Sequence, residues 1–75
     1  MDKHFIGKWA GIVWQLLSTD NRKWTFEEVQ QTTGLDERQL SSAIGWLARE
    51  DKIQFEVPHD GNLAQIALEL NVYIG

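Results

Sequence analysis

The residues best equipped for chemistry lie in DERQLSSAIGWLAREDK, residues 36–52, where Arg38, Ser41, Ser42, Gly45 and Arg49 recur at spacings of three and four. On a helix turning 100° per residue these five gather on one side, with Ser41 at the margin. Guanidinium groups can donate bidentately to guanine O6 and N7, and serine hydroxyls can reach phosphates or base edges. A glycine among them lets another backbone come close. This is a chemistry of recognition. The components of catalysis are missing: there is no cysteine, and His4 and His59 stand far apart without ligand spacing. Ser41-Ser42 lacks the context of a nucleophile elbow, and no glycine loop could cradle a phosphate. Asp36-Glu37 and Glu50-Asp51 are adjacent pairs that point apart on a helix. The sequence therefore predicts no enzyme, no metal site, no cofactor and no small-molecule substrate.

A face of this kind needs a helix to carry it, and the helix start is well signalled. Asp36 followed by Gln39 fits a capping box, with Leu35 and Leu40 as the flanking hydrophobic staple. Opposite the polar face lie Leu40, Ala43, Ile44 and Leu47. One element earlier, Thr25 and Glu28 repeat the box with Trp24 and Val29 as staple, and Gly34 stands where a left-handed residue would end the helix. Two helices are predicted, over 25–33 and 36–50, joined by a tight turn at Gly34-Leu35.

Upstream, HFIGKWAGIVWQLLS, residues 4–18, forms another helix. Its apolar arc covers about 200°, where one-sided packing needs little over 100°. The surplus predicts a second packing surface, with Trp9, Ala10 and Trp14 as candidate contacts of a homodimer. Gly7 and Gly11 share a side, and a helical glycine costs roughly 1 kcal/mol relative to alanine. The expectation for them, as for Gly45, is a close neighbour, either within the chain or in a partner.

After Lys52 the period shortens to two. Ile53, Phe55 and Val57 alternate with polar residues, as do Ile66, Leu68, Leu70 and Val72, and PHDGN lies between them. This reads as a β-hairpin, with a short extra strand expected near Trp24. The hairpin tip comprises His59, Asp60, Gly61 and Asn62.

Seventy-five residues allow a single domain, 1–75, with a small core. Four tryptophans and three phenylalanines must supply much of it. The absence of cysteine fits a reducing compartment. No secretory signal and no apolar run of roughly 20 residues is visible, so a cytoplasmic protein without membrane contact is expected. Residues 1–35 balance four bases against four acids, whereas 36–75 set three bases against seven acids. That acidity does not favour a polyanion partner.

The order helix, helix, helix, hairpin resembles the winged helix-turn-helix superfamily over nearly the whole chain. More narrowly, it looks like small stand-alone bacterial and archaeal winged-helix domains of unknown function. The resemblance rests on GKWAGIVWQLL, on TTGLDERQLSSAIGWLAREDKI and on the hairpin from Ile53 to Leu70, with AIGWLAREDKI the most specific run. It implies an α+β fold of three helices and a wing. It also implies duplex DNA as the commonest partner, met by the third helix with the wing in support. Other members of the superfamily bind proteins. The tip departs from the basic pattern of a phosphate-gripping wing, with His59 and Asn62 as its polar contacts. The expectation is a DNA-binding regulator that is weak alone or needs a dimer. The alternative is a protein-interaction or dimerisation module on the same scaffold.

Overall fold

The computed structural model describes residues 3–61 and 66–71. In chain order the elements are α1 (Lys3–Thr19), β1 (Trp24–Thr25), α2 (Phe26–Thr33), α3 (Glu37–Arg49), β2 (Ile53–Glu56) and β3 (Ala67–Leu70). The three helices, the tight turn and the hairpin match the expectation, and the short strand at Trp24 forms. Val72 lies outside the described residues.

Both capping boxes are made. Glu28 N–H donates to Thr25 Oγ1 at 3.1 Å and Thr25 N–H donates back to Glu28 Oε1 at 2.9 Å. Gln39 N–H donates to Asp36 Oδ1 at 2.8 Å, and Asp36 N–H to Gln39 Oε1 at 3.0 Å. Each box satisfies two donors that a helix start would otherwise leave unpaired. The Glu28 carboxyl is held below the usual range, first by the Thr25 N–H and further by the Thr25 hydroxyl and the nearby Arg22. Gly34 ends α2 at φ 76°, a conformation that side chains with a Cβ resist.

The end of α3 is less ordinary. Lys52 N–H donates to Leu47 O at 2.9 Å and Asp51 N–H to Ala48 O at 3.1 Å. This is the paired closure of a Schellman motif, with Asp51 at φ 58° in the place usually held by glycine. Asn71 secures the corner by donating its side-chain amide to Asp51 O and its backbone N–H to Lys52 O. The pair Glu50-Asp51, out of place by charge at a helix C-terminus, is thus the turn from α3 into β2.

The sheet order is β1-β3-β2, antiparallel throughout. Leu68 on the central strand stands between Trp24 and Phe55. Trp24 is fixed from outside by its Nε1–H to Asp20 O at 2.9 Å and by the Arg22 guanidinium 3.6 Å above its ring. Lys23, just before β1, pairs with Glu56 of β2 across the central strand; that hydrogen bond, and then the carboxylate's charge, hold the ammonium above its ordinary range.

The core gathers Val13 and Leu17 of α1, Val29 of α2, Leu40, Ala43 and Leu47 of α3, and Ile53 and Leu68 of the sheet; contrary to the expectation of an aromatic core, Trp24 is the one buried Trp or Phe among the described residues. Burying each large member stabilises the fold by about 1.5–3 kcal/mol. Because α1 and α3 form the most extensive packing in the molecule, the apolar side of α3 is turned inward and its Arg38–Arg49 side outward.

Candidate nucleic-acid interface

The face of α3 predicted to carry recognition is open. Arg38, Ser41, Gly45 and Arg49 are exposed, and neither the hairpin nor α1 covers them. Arg38 and Arg49 stand eleven residues apart, hence within about 20° of one another on the wheel and about 16 Å apart along the axis. Among the described residues neither is engaged in an ion pair. Ser42 differs: it is half-buried and already has an interaction partner. The structure therefore brings four of the five candidates to one accessible surface and leaves the fifth at its edge.

Gly45 corrects one expectation. Apart from its sequence neighbours and the backbone of its own helix, a Cβ built on it would meet no heavy atom within 4 Å, and the same holds at Gly7 and Gly11. The close neighbours that the helical glycines led us to expect do not come from this chain.

Electrostatics around the face are mixed. Asp36 and Glu37 lie at the start of α3 and Glu50 and Asp51 at its end, all exposed, with Lys52 beyond them. The carboxylates at the start offset the helix dipole favourably, while the two arginines stand at the ends of the face beside these acids and its middle holds the small residues. In the wing, Pro58 O accepts from Gly61 N–H at 3.0 Å, and Gly61 takes φ 73°. His59, Asp60 and Gly61 are exposed at this turn, and Asp60 already has a partner. Asn62, the other wing-tip candidate, lies outside the described residues.

The candidate dimer contacts on α1 divide. Ala10 is 3% exposed and belongs to the core, so it is not a surface residue; Trp9 is half-buried, and Trp14 is 44% exposed with the Lys52 ammonium 5.9 Å from its ring centroid. The helical wheel placed Ala10 at the edge of the arc without revealing that α3 would close over that edge. Two further exposed apolar residues, Phe5 and Ile12, lie on the other flank of α1.

One feature escaped sequence reasoning altogether. A groove of about 960 Å³ runs between α2 and the wing, walled by Phe26, Ile44, Phe55 and Val57. The alternation of Ile53, Phe55 and Val57 signalled an inner face but carried no sign that the helices would fail to cover it.

Three helices with a tight turn between α2 and α3, followed by a hairpin whose sheet is completed by a short strand before α2, define a winged helix-turn-helix domain. The chain belongs to the family described as "Winged helix-turn-helix domain (DUF2582)", whose model matches residues 1–67. It is also similar to a solved structure, the solution NMR structure of protein BT2368 from Bacteroides thetaiotaomicron. The two share 28% identity with a TM-score of 0.79, over all of this chain and 90% of that one. Among curated proteins none matches. No helix among the described residues is long and apolar enough to cross a membrane.

Proposed function

We propose that this winged helix is a non-enzymatic binding module for duplex DNA, of the transcription-regulator type, that reads the major groove with α3. The observation that carries the reading is the open outward face of α3. Arg38 and Arg49 sit three turns apart on the same side, with Ser41 and Gly45 between them and no bulky side chain in the way. Arginine on such a face suits guanine O6 and N7 or phosphate, and Gly45 leaves room for a close approach. Ser42 contributes from the margin.

Affinity is low for one copy. The exposed turn at His59–Gly61 offers a phosphate little, so anchoring falls on the few cations of α3 and Lys52. Self-association through α1, by half-buried Trp9 and exposed Trp14, doubles the contacts and compensates.

Fluorescence anisotropy with a labelled duplex tests this. For a single copy, two arginine contacts predict a salt slope near -2, so affinity drops roughly tenfold between 50 and 200 mM salt. Arg38→Glu with Arg49→Glu abolishes the signal while circular dichroism stays unchanged. Absence of binding at micromolar protein and low salt rejects the reading. A second reading, a protein-docking module that does not touch DNA, draws on the apolar groove beside the wing and on the net charge of -4.

A further inference from the structure

A smaller hollow, of about 240 Å³, opens between α1 and α3. Its floor is Ala10 of α1 and Leu47 of α3, both 3% exposed, and Trp14 and Trp46 give it aromatic walls. Gly7 and Gly11, one turn apart on α1, also line it. No other element comes within 4 Å of a Cβ built on either glycine, so the hollow reaches down to the backbone of α1 there. Alanine at these two positions would spare α1 the helix cost of glycine and would fill that space.

The polar side-chain groups around this space are donors. Lys52 lines it, with the ammonium 5.9 Å from the centre of the Trp14 ring. Among the described residues Arg22 and Lys23 pair with carboxylates, whereas Lys52 pairs with none. The indole N–H of Trp24 donates to Asp20 O, but those of Trp14 and Trp46 have no acceptor among the described residues. Glu50 and Asp51, at the end of α3, are not part of the lining, and no other acid is.

An occupant that fits is apolar, flat and negatively charged at one end. The volume falls below the roughly 300–1,000 Å³ that encloses a drug-sized ligand, so the hollow admits a single ring system. A flat ring can lie close over the bare backbone of Gly7 and Gly11 and pair with the indoles in offset or edge-on contact. One ammonium matches one negative charge, which favours a carboxylate over a phosphate monoester carrying about -1.5 to -2. We infer that the hollow binds a small aromatic carboxylate, its ring against Trp14 and Trp46 and its carboxylate at Lys52. The inference does not rest on the DNA reading. It gives Trp14 to the ligand and leaves self-association to Trp9 and the rest of α1.

Benzoate titrated into isotope-labelled protein, with the indole N–H signals of the four tryptophans followed by NMR, tests this. The Trp14 and Trp46 signals are expected to shift and to saturate at roughly millimolar benzoate, the range of one ring in an open hollow, while Trp9 and Trp24 stay in place. Benzylamine, the same ring with the opposite charge, moves none of them. Cyclohexanecarboxylate, the same charge on a puckered ring, binds several-fold more weakly than benzoate. Lys52→Gln weakens benzoate about fivefold, the size of a good exposed ion pair. Gly7→Ala with Gly11→Ala stays folded by circular dichroism and loses the shifts. The inference is overturned if no saturable shift appears at tens of millimolar benzoate, or if benzylamine or cyclohexanecarboxylate binds as well as benzoate. Unchanged benzoate affinity in the folded Lys52→Gln chain overturns it too.

Discussion

Replacing Gly45 by alanine is expected to stabilise the domain and weaken its hold on DNA. Gly45 lies in the interior of α3, away from either cap, and is exposed. A helix-interior glycine costs about 0.8–1 kcal/mol relative to alanine, largely through the freedom it keeps in the unfolded chain. Alanine recovers this only if the added methyl meets no other part of the fold, and here nothing beyond its sequence neighbours and its own helix backbone lies within 4 Å. The gain is therefore about 1 kcal/mol. For a domain of this length that raises Tm by roughly 4–8 °C, or the urea midpoint by about 1 M at a slope near 1 kcal/mol/M. Urea denaturation followed by tryptophan fluorescence gives the number directly. In anisotropy the same methyl stands where the proposed duplex approaches, so affinity falls as stability rises. A lowered midpoint would refute the reasoning, because it would mean that this space is already filled in the folded chain.

Other predictions follow from the same geometry. Asp51→Gly places the residue suited to φ 58° at the end of α3 and removes a carboxylate from the negative pole of the helix, so chemical denaturation should show a gain of about 0.5–1 kcal/mol. Leu40→Ala empties a fully buried site and should cost about 2–5 kcal/mol, a large share of a small domain's stability, read from the same denaturation curves. For Glu28 the folded carboxyl has the lower pKa, so as pH falls the unfolded chain binds its proton first and the native state loses stability through the acid range. Glu28→Gln keeps the amide oxygen of the capping box and should flatten that acid slope in melting curves taken at successive pH values.

What could be read from the sequence was what is decided locally. Thr25 with Glu28 and Asp36 with Gln39 announce two helix starts because the partners lie three residues apart and need nothing else. Gly34 announces a stop because its conformation is set within the turn. The open side of α3 was legible from its wheel, except that the wheel put Ser41 at the margin where the structure has Ser42. The remainder depends on how far elements extend over one another. Asp51 gives no signal of a left-handed turn, because that position ordinarily belongs to glycine. Ala10 looked like a margin residue until α3 was packed against it. The open groove arises from an α2 too short for the sheet beneath it, and no residue pattern in β2 records the length of a distant helix. Gly7, Gly11 and Gly45 carry the helix cost of glycine, and no other element of the described fold packs within 4 Å of the Cβ position in return.

The most direct test of the account is an amide shift map of labelled protein titrated with a duplex at low salt. The account predicts that the largest changes run along the outward side of α3, at Arg38, Ser41, Gly45 and Arg49, while His59–Gly61 of the wing move little. Changes confined to the groove of Phe26, Phe55 and Val57, or none at all, would contradict it.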